Sequence, residues 1–252
     1  MELEKLKNNF IKYADSFLTG DEDFDFNIKI KRDHSINVAM HSVNICKDES
    51  CDENSRKLAD AIGLLHDIAR FEQYTQFETF NDAASFDHGQ KGVEILESTE
   101  FKNYFKSEDV EIVKKCLFFH NKIDFEKTDE RIDFFIRLIR DADKLDIFRV
   151  ILEKLNMKTG PSLTHHLPDS DDYSDEIVDA ILEGRQICYS KRKTQNDMKL
   201  TVLNWIQDLN FRYSYEYTLE NNIISKLLKK LPDDEKIRSV GNYLTKKAKS
   251  FL

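Results

Sequence analysis

Only three prolines and seven glycines interrupt 252 residues, so little in the chain breaks a helix. Long apolar runs are missing as well. No stretch approaches the roughly 20 residues needed to cross a bilayer, and the opening MELEKLKNNF lacks the apolar core of a secretion signal, so the expected compartment is the cytoplasm. The four cysteines, Cys46, Cys51, Cys116 and Cys188, form no CxxC pair. That excludes a zinc knuckle or a disulfide framework and leaves reduced structural thiols. Basic residues are outnumbered, at a formal net charge of −9. A field of that sign repels polyanions, so neither a nucleic acid polymer nor a membrane is an expected partner. A small phosphorylated substrate is compatible with it, because a local positive site overrides the global sign. The tail from Lys226 to Leu252 holds eight Lys/Arg against three Asp/Glu and reads as a solvated helix face.

Leu, Ile, Lys, Glu and Asp abound, as helices prefer. Apolar residues recur at spacings of three and four over Glu4 to Phe17, Asp33 to Lys47, Ser55 to Phe71, Asp87 to Glu97, Asp109 to His120, Arg131 to Asn156 and Asp175 to Tyr189, with several further segments between Met198 and Ser250. No alternating strand pattern competes, and the expected fold is all-α. The strongest break is KTGPSLTHHLPDSDDYSD. Residues 157–176 are therefore expected to form a long surface loop within a single domain spanning 1–252, which the helices of 177–252 complete. His165 and His166 in this loop read as solvated residues or as a lid over a site. The stripe of Trp205, Ile206, Leu209, Phe211, Leu219, Ile223, Ile224 and Leu227 reads as core. Tyr213, Tyr215 and Tyr217 alternate, as in a short extended turn or a pocket wall.

His66 and Asp67 stand side by side in RKLADAIGLLHDIARF, at the margin of a stripe formed by Leu58, Ala61, Ile62, Leu65 and Ile68. Ordinary hydrogen bonds would account for such a pair alone. The other histidines change the reading: His34 and His41 in RDHSINVAMHSVNIC, His88 opening DHGQKGVEILE, and His120 ending VEIVKKCLFFHNK. Asp143 adds a carboxylate within FFIRLIRDADKLDIF. Buried imidazoles and carboxylates on separate helices are costly unless something offsets their desolvation. A divalent cation does so, and this mixed donor set suits Mn, Co, Ni, Zn, Mg or Fe without choosing among them. His34 and His41 lie about 10.5 Å apart along one helix face, too far to share an ion readily. Asp141 and Asp146 flank Asp143, so spacing leaves the choice of carboxylate open.

In order along the chain, HSINVA, LLHDIARF, DHGQKGVEIL and RDADKL resemble the HD-domain superfamily of metal-dependent phosphohydrolases, over roughly residues 30 to 150. The resemblance implies a helical bundle in which His34, His66, Asp67 and Asp143 bind one divalent metal. In the branch with two ions, residues at the positions of His88 and His120 hold the second, and the carboxylate at Asp67 bridges. The family context favours His34 over His41 and Asp143 over Asp141. The chain departs from the cyclic-dinucleotide phosphodiesterase branch, because Phe119 precedes His120 where that branch pairs histidines, and because it has no GYP element.

The implied activity is hydrolysis of a small phosphate ester, a nucleotide-like monoester or diester, by a metal-activated water, with one or two divalent ions as cofactor. Asp67 is expected to bridge the ions or orient the water. His88 or His120, where not a ligand, is expected to protonate the leaving oxygen. Arg70, Arg140 and Lys144 are the cations nearest the set and the expected substrate-binding residues. Glu72, Asn81 and Asp82 are further candidates for contact with substrate or water. A di-iron oxygenase of the same superfamily would share the ligand set. A noncatalytic metal-binding regulatory module would typically have lost ligands, and none is missing here. Whether the chain forms a homo-oligomer stays open on sequence.

Overall fold

Five of the α-helices described begin where short polar side chains accept the first free backbone N–H groups. Asp21 accepts from Phe24 N, Asp52 from Ser55 N, Asp87 from Gly89 N and Gln90 N, and Asp234 from Ile237 N. Thr194 and Asp197 form a reciprocal capping box. The computed structural model describes residues 1–156 and 167–252; His165, His166 and the first part of the 157–176 loop lie outside the described residues. In order, the helices are α1 (Leu3–Asp15), α2 (Glu22–Asp48), α3 (Glu53–Leu65), α4 (Arg70–Phe77), α5 (His88–Ser98), α6 (Ser107–Phe119), α7 (Glu130–Asn156), α8 (Asp175–Leu182), α9 (Gln195–Asn204), α10 (Arg212–Glu220), α11 (Ile223–Leu228) and α12 (Glu235–Lys249). The described residues contain no strand, and the fold is all-α. Among them no helix is long and apolar enough to cross a membrane.

Three expectations from periodicity need correction. The segment Ser55 to Phe71 is not one helix: α3 stops at Leu65, His66 to Ala69 turn, and α4 starts at Arg70. Bonds of the i to i+3 type tighten this turn, with Ile68 N donating to Leu65 O and Arg70 N to Asp67 O. The helix expected to reach Tyr189 ends at Leu182, because Gly184 takes the left-handed conformation (φ 71°) and Arg185 N closes back on Ala180 O, a Schellman-type stop. Tyr213, Tyr215 and Tyr217 lie on α10 rather than in an extended turn. Tyr215 is fully buried, and its hydroxyl donates to Leu209 O at 2.8 Å.

The chain divides into two compact units, Met1–Asp146 and Ile147–Leu252, with the boundary inside α7. In the first unit, α2 packs along α3. A Cβ added at Gly63 would lie 2.5 Å from the Ala39 Cα, so only glycine allows this approach. Leu6 and Phe10 of α1, Val38 and Ile45 of α2, Leu58, Ile62 and Leu65 of α3, and Phe135, Ile139 and Leu145 of α7 are buried. Each such side chain contributes about 1.5–3 kcal/mol through burial. In the second unit, Leu200, Leu203, Ile206, Leu227, Val240 and Leu244 are buried, and Tyr215 stacks on Phe251 with ring centroids 4.3 Å apart.

Candidate metal centre

Three helices, the turn after α3 and the residue after α6 deliver donors to one place in the first unit. His34 comes from the middle of α2, and His66 and Asp67 from the turn after α3. His88 is the first residue of α5, His120 the residue after α6, and Asp143 lies on α7. All four imidazoles and Asp67 are buried. Around Asp67 Oδ2 lie His34 Nε2 at 3.6 Å and His66 Nε2 at 3.7 Å. Asp143 Oδ1 is 3.1 Å from the first of these nitrogens and 3.5 Å from the second. Around Asp67 Oδ1 lie His88 Nε2 at 3.4 Å and His120 Nε2 at 3.5 Å. The two oxygens of one carboxylate thus face two separate donor groups.

The hydrogen bonds on the far side of each ring determine what the near side presents. His34 Nδ1 meets Asp146 Oδ2 at 2.7 Å, His66 Nδ1 meets Gly63 O at 2.8 Å, His88 Nδ1 meets Asp82 Oδ2 at 2.6 Å, and His120 Nδ1 meets Leu117 O at 2.8 Å. A carbonyl or carboxylate can only accept, so each Nδ1 carries the proton and, in the neutral ring, each Nε2 turns a lone pair inward. His88 Nε2 and His120 Nε2 are only 2.9 Å apart. His34 Nε2, His66 Nε2 and Asp143 Oδ1 are buried with no hydrogen-bond partner. Lone pairs facing lone pairs and carboxylates in a buried cluster are unfavourable without a cation between them. The donor chemistry therefore fits a divalent metal at each group, with the outer partners fixing ring orientation as is usual for metal-bound histidine.

The charge states of His66, His88, Asp67 and Asp143 suit a ligand set. Burial pushes His66 down, and burial together with the Arg70 cation pushes His88 down to about 3, leaving neutral imidazoles. Burial raises the Asp67 carboxyl, but Lys31, His66 and Arg70 outweigh it and hold the group well below the ordinary carboxylate range. Asp143 is likewise held low, burial being outweighed by His34 and His66. His34 is raised: burial and Lys31 oppose the proton, and Asp143 and Asp146 overcome them.

Other candidates from the sequence fall as follows. His41, Asp141 and Asp143 lie outside the tightest donor groups of the described residues, but Asp143 Oδ1 reaches the His34 and His66 imidazoles, while His41 and Asp141 are buried. Asp146 supports His34 from behind. Asp82 does the same for His88, and also accepts from Gln73 Nε2 at 3.0 Å. Asn81 caps the short turn at Asp82, and Glu72 pairs with Lys91 at 3.6 Å. Arg70 donates to Asp67 Oδ1, Gln73 Oε1, Phe80 O and Asp82 Oδ1, which ties the segment after α4 to the centre. Arg140 is buried, and its guanidinium donates to the carbonyls of Phe119, Lys122 and Ile123, so it holds the chain just after α6. Lys144 is part-exposed beside Asp143. Sequence reasoning missed Lys31, whose Nζ lies 2.7 Å from Asp67 Oδ2. Its position three residues before His34, on the same face of α2, was the available signal.

The HD domain family model matches residues 32–147, the stretch that supplies every one of these donors. That stretch is therefore similar to an HD domain, and its His/Asp groups can hold metal. No curated protein and no solved structure matches the chain.

Proposed function

We propose that the protein is a metal-dependent phosphohydrolase acting on a small phosphate ester. The observation that carries this reading is the division of Asp67, with one oxygen facing His34 and His66, which Asp143 also meets, and the other facing His88 and His120. His34, His66, Asp67 and Asp143 would hold one divalent ion, and Asp67, His88 and His120 a second. Bound there, such ions supply a water of lowered pKa and neutralise charge on phosphoryl oxygens.

The protein's own residues do the rest. Asp146, Gly63, Asp82 and Leu117 hold the Nδ1 protons and keep the Nε2 lone pairs inward. Arg70 braces both Asp67 and Asp82 and so fixes the Asp67 carboxylate. With both Nδ1 atoms engaged and both Nε2 atoms facing Asp67, His88 and His120 serve as ligands rather than as proton donors to the leaving group. Lys144, part-exposed and next to Asp143 in the chain, remains the cation expected to contact a substrate anion, whereas Arg140 acts through the chain after α6.

The test is elemental analysis of protein purified without chelator, paired with a screen of divalent metals against one model phosphomonoester and one model phosphodiester. Metal-dependent cleavage, abolished by Asp67→Ala with helix content retained, is expected. Two bound irons with no ester cleavage under any metal would contradict the hydrolase and favour oxygen chemistry.

A further inference from the structure

Lys31 lies almost one turn before His34 on α2, and its Nζ donates to Asp67 Oδ2 at 2.7 Å, on the side of that carboxylate facing His34 and His66. The four imidazole side chains are at most 4% exposed, whereas Lys31 and Asp143 each keep 17%. Lys31 and Asp143 are therefore more open to solvent than the imidazoles. The ammonium sits 5.2 Å from the centre of the Phe80 ring, and Phe80 stacks on Tyr74 at 4.9 Å, so an aromatic wall limits where the side chain can go. Arg70, Arg140 and Lys122 are committed elsewhere. Arg70 holds Asp67, Asp82, Gln73 and Phe80 O, Arg140 holds backbone carbonyls, and Lys122 pairs with Asp87. Lys31 has three N–H groups and, among the described residues, one hydrogen-bond acceptor, Asp67.

An ammonium in contact with Asp67 Oδ2 competes with any other cation for that oxygen. Once the oxygen is taken, the ammonium is left part-buried and needs another anion. We propose that Lys31 is a phosphate-binding residue of this centre. Its ammonium gives up Asp67 Oδ2 when the centre is loaded and grips a non-bridging phosphoryl oxygen of the ester and of the phosphate product. This inference rests on the hydrolase reading above and adds to it the residue that recognises the phosphoryl group.

Calorimetric titration tests it in two steps, with Mn2+ added to metal-free protein and inorganic phosphate then added to the Mn2+-loaded protein. Lys31→Gln should weaken phosphate binding about tenfold or more, the usual scale for a lost bond to a charged group. Lys31→Arg, which keeps the charge, should retain most of the affinity. Mn2+ should bind Lys31→Gln at least as tightly as the parent, because a competitor for Asp67 Oδ2 has gone. In ester hydrolysis, KM should rise in Lys31→Gln and recover in Lys31→Arg. If Lys31→Gln loses helix content by circular dichroism, Lys31→Met serves as the neutral variant. Equal phosphate affinity in the parent and the neutral variant would overturn the assignment and leave the hydrolase reading intact. A matching loss of Mn2+ affinity would also overturn it, since Lys31 would then only support Asp67. A Mn2+-loaded parent that neither binds phosphate nor cleaves any ester would remove the hydrolase reading itself.

Discussion

Asp82 and Asp146 touch no inward-facing Nε2 atom, yet each determines which nitrogen of a histidine carries the proton. Loss of such outer partners weakens metal binding by about 10–100-fold in comparable sites. Asp146→Ala should do so at the His34 group and Asp82→Ala at the His88 group, measured by competition with a chromophoric chelator. Unchanged affinity in both variants would mean that the rings are held by packing alone. The inward donors were readable because HSINVA, LLHDIARF, DHGQKGVEIL and RDADKL are local signatures. Their supports were not. Asp146 meets His34 across 112 residues, and Arg140 meets the chain after α6 across about 20. No local pattern encodes those distances.

At the level of elements, two glycines let helices approach closely enough to bring their histidines together. A Cβ at Gly63 would meet the Ala39 backbone at 2.5 Å, and one at Gly89 would meet Leu117 O and Phe118 O at 2.9 Å. Gly63 O is also the acceptor for His66 Nδ1, so packing and site geometry are coupled there. Gly63→Ala should cost about 3 kcal/mol, read from urea unfolding, and should weaken metal binding as well. An unchanged urea midpoint would show that α2 and α3 can separate freely. The turn before α2 carries a pH dependence. Asp25 accepts from Thr19 N at 2.7 Å, Thr19 Oγ1 at 3.2 Å and Gly20 N at 3.1 Å, and the Thr19 N–H bond is the main reason its pKa is depressed. Its stabilisation is present above the unfolded value of about 3.9 and disappears as pH falls through the lower folded value. Asp25→Asn should therefore be less stable than the parent at pH 7, with the difference closing in acid. A difference that persisted below pH 2 would contradict this. Helix existence was legible from periodicity, but the stop between α3 and α4 was not. Leu65, Ile68 and Phe71 keep an apolar spacing that continues across it, and all three are buried.

For the whole molecule, burying four imidazoles and two carboxylates without a cation leaves the first unit carrying an unfavourable cluster, so metal and folding are linked. A chelator should lower the thermal midpoint, and a divalent ion at 100 times its dissociation constant should restore about 2.7 kcal/mol per site. A midpoint indifferent to both would argue against resident metal. The most direct measurement is anomalous X-ray scattering from crystals grown with Mn2+ or Zn2+. Two peaks flanking Asp67 are predicted, one against Oδ2 among His34, His66 and Asp143, the other against Oδ1 between His88 and His120. No anomalous peak within coordination distance of Asp67, in crystals that carry the ion elsewhere, would contradict the account.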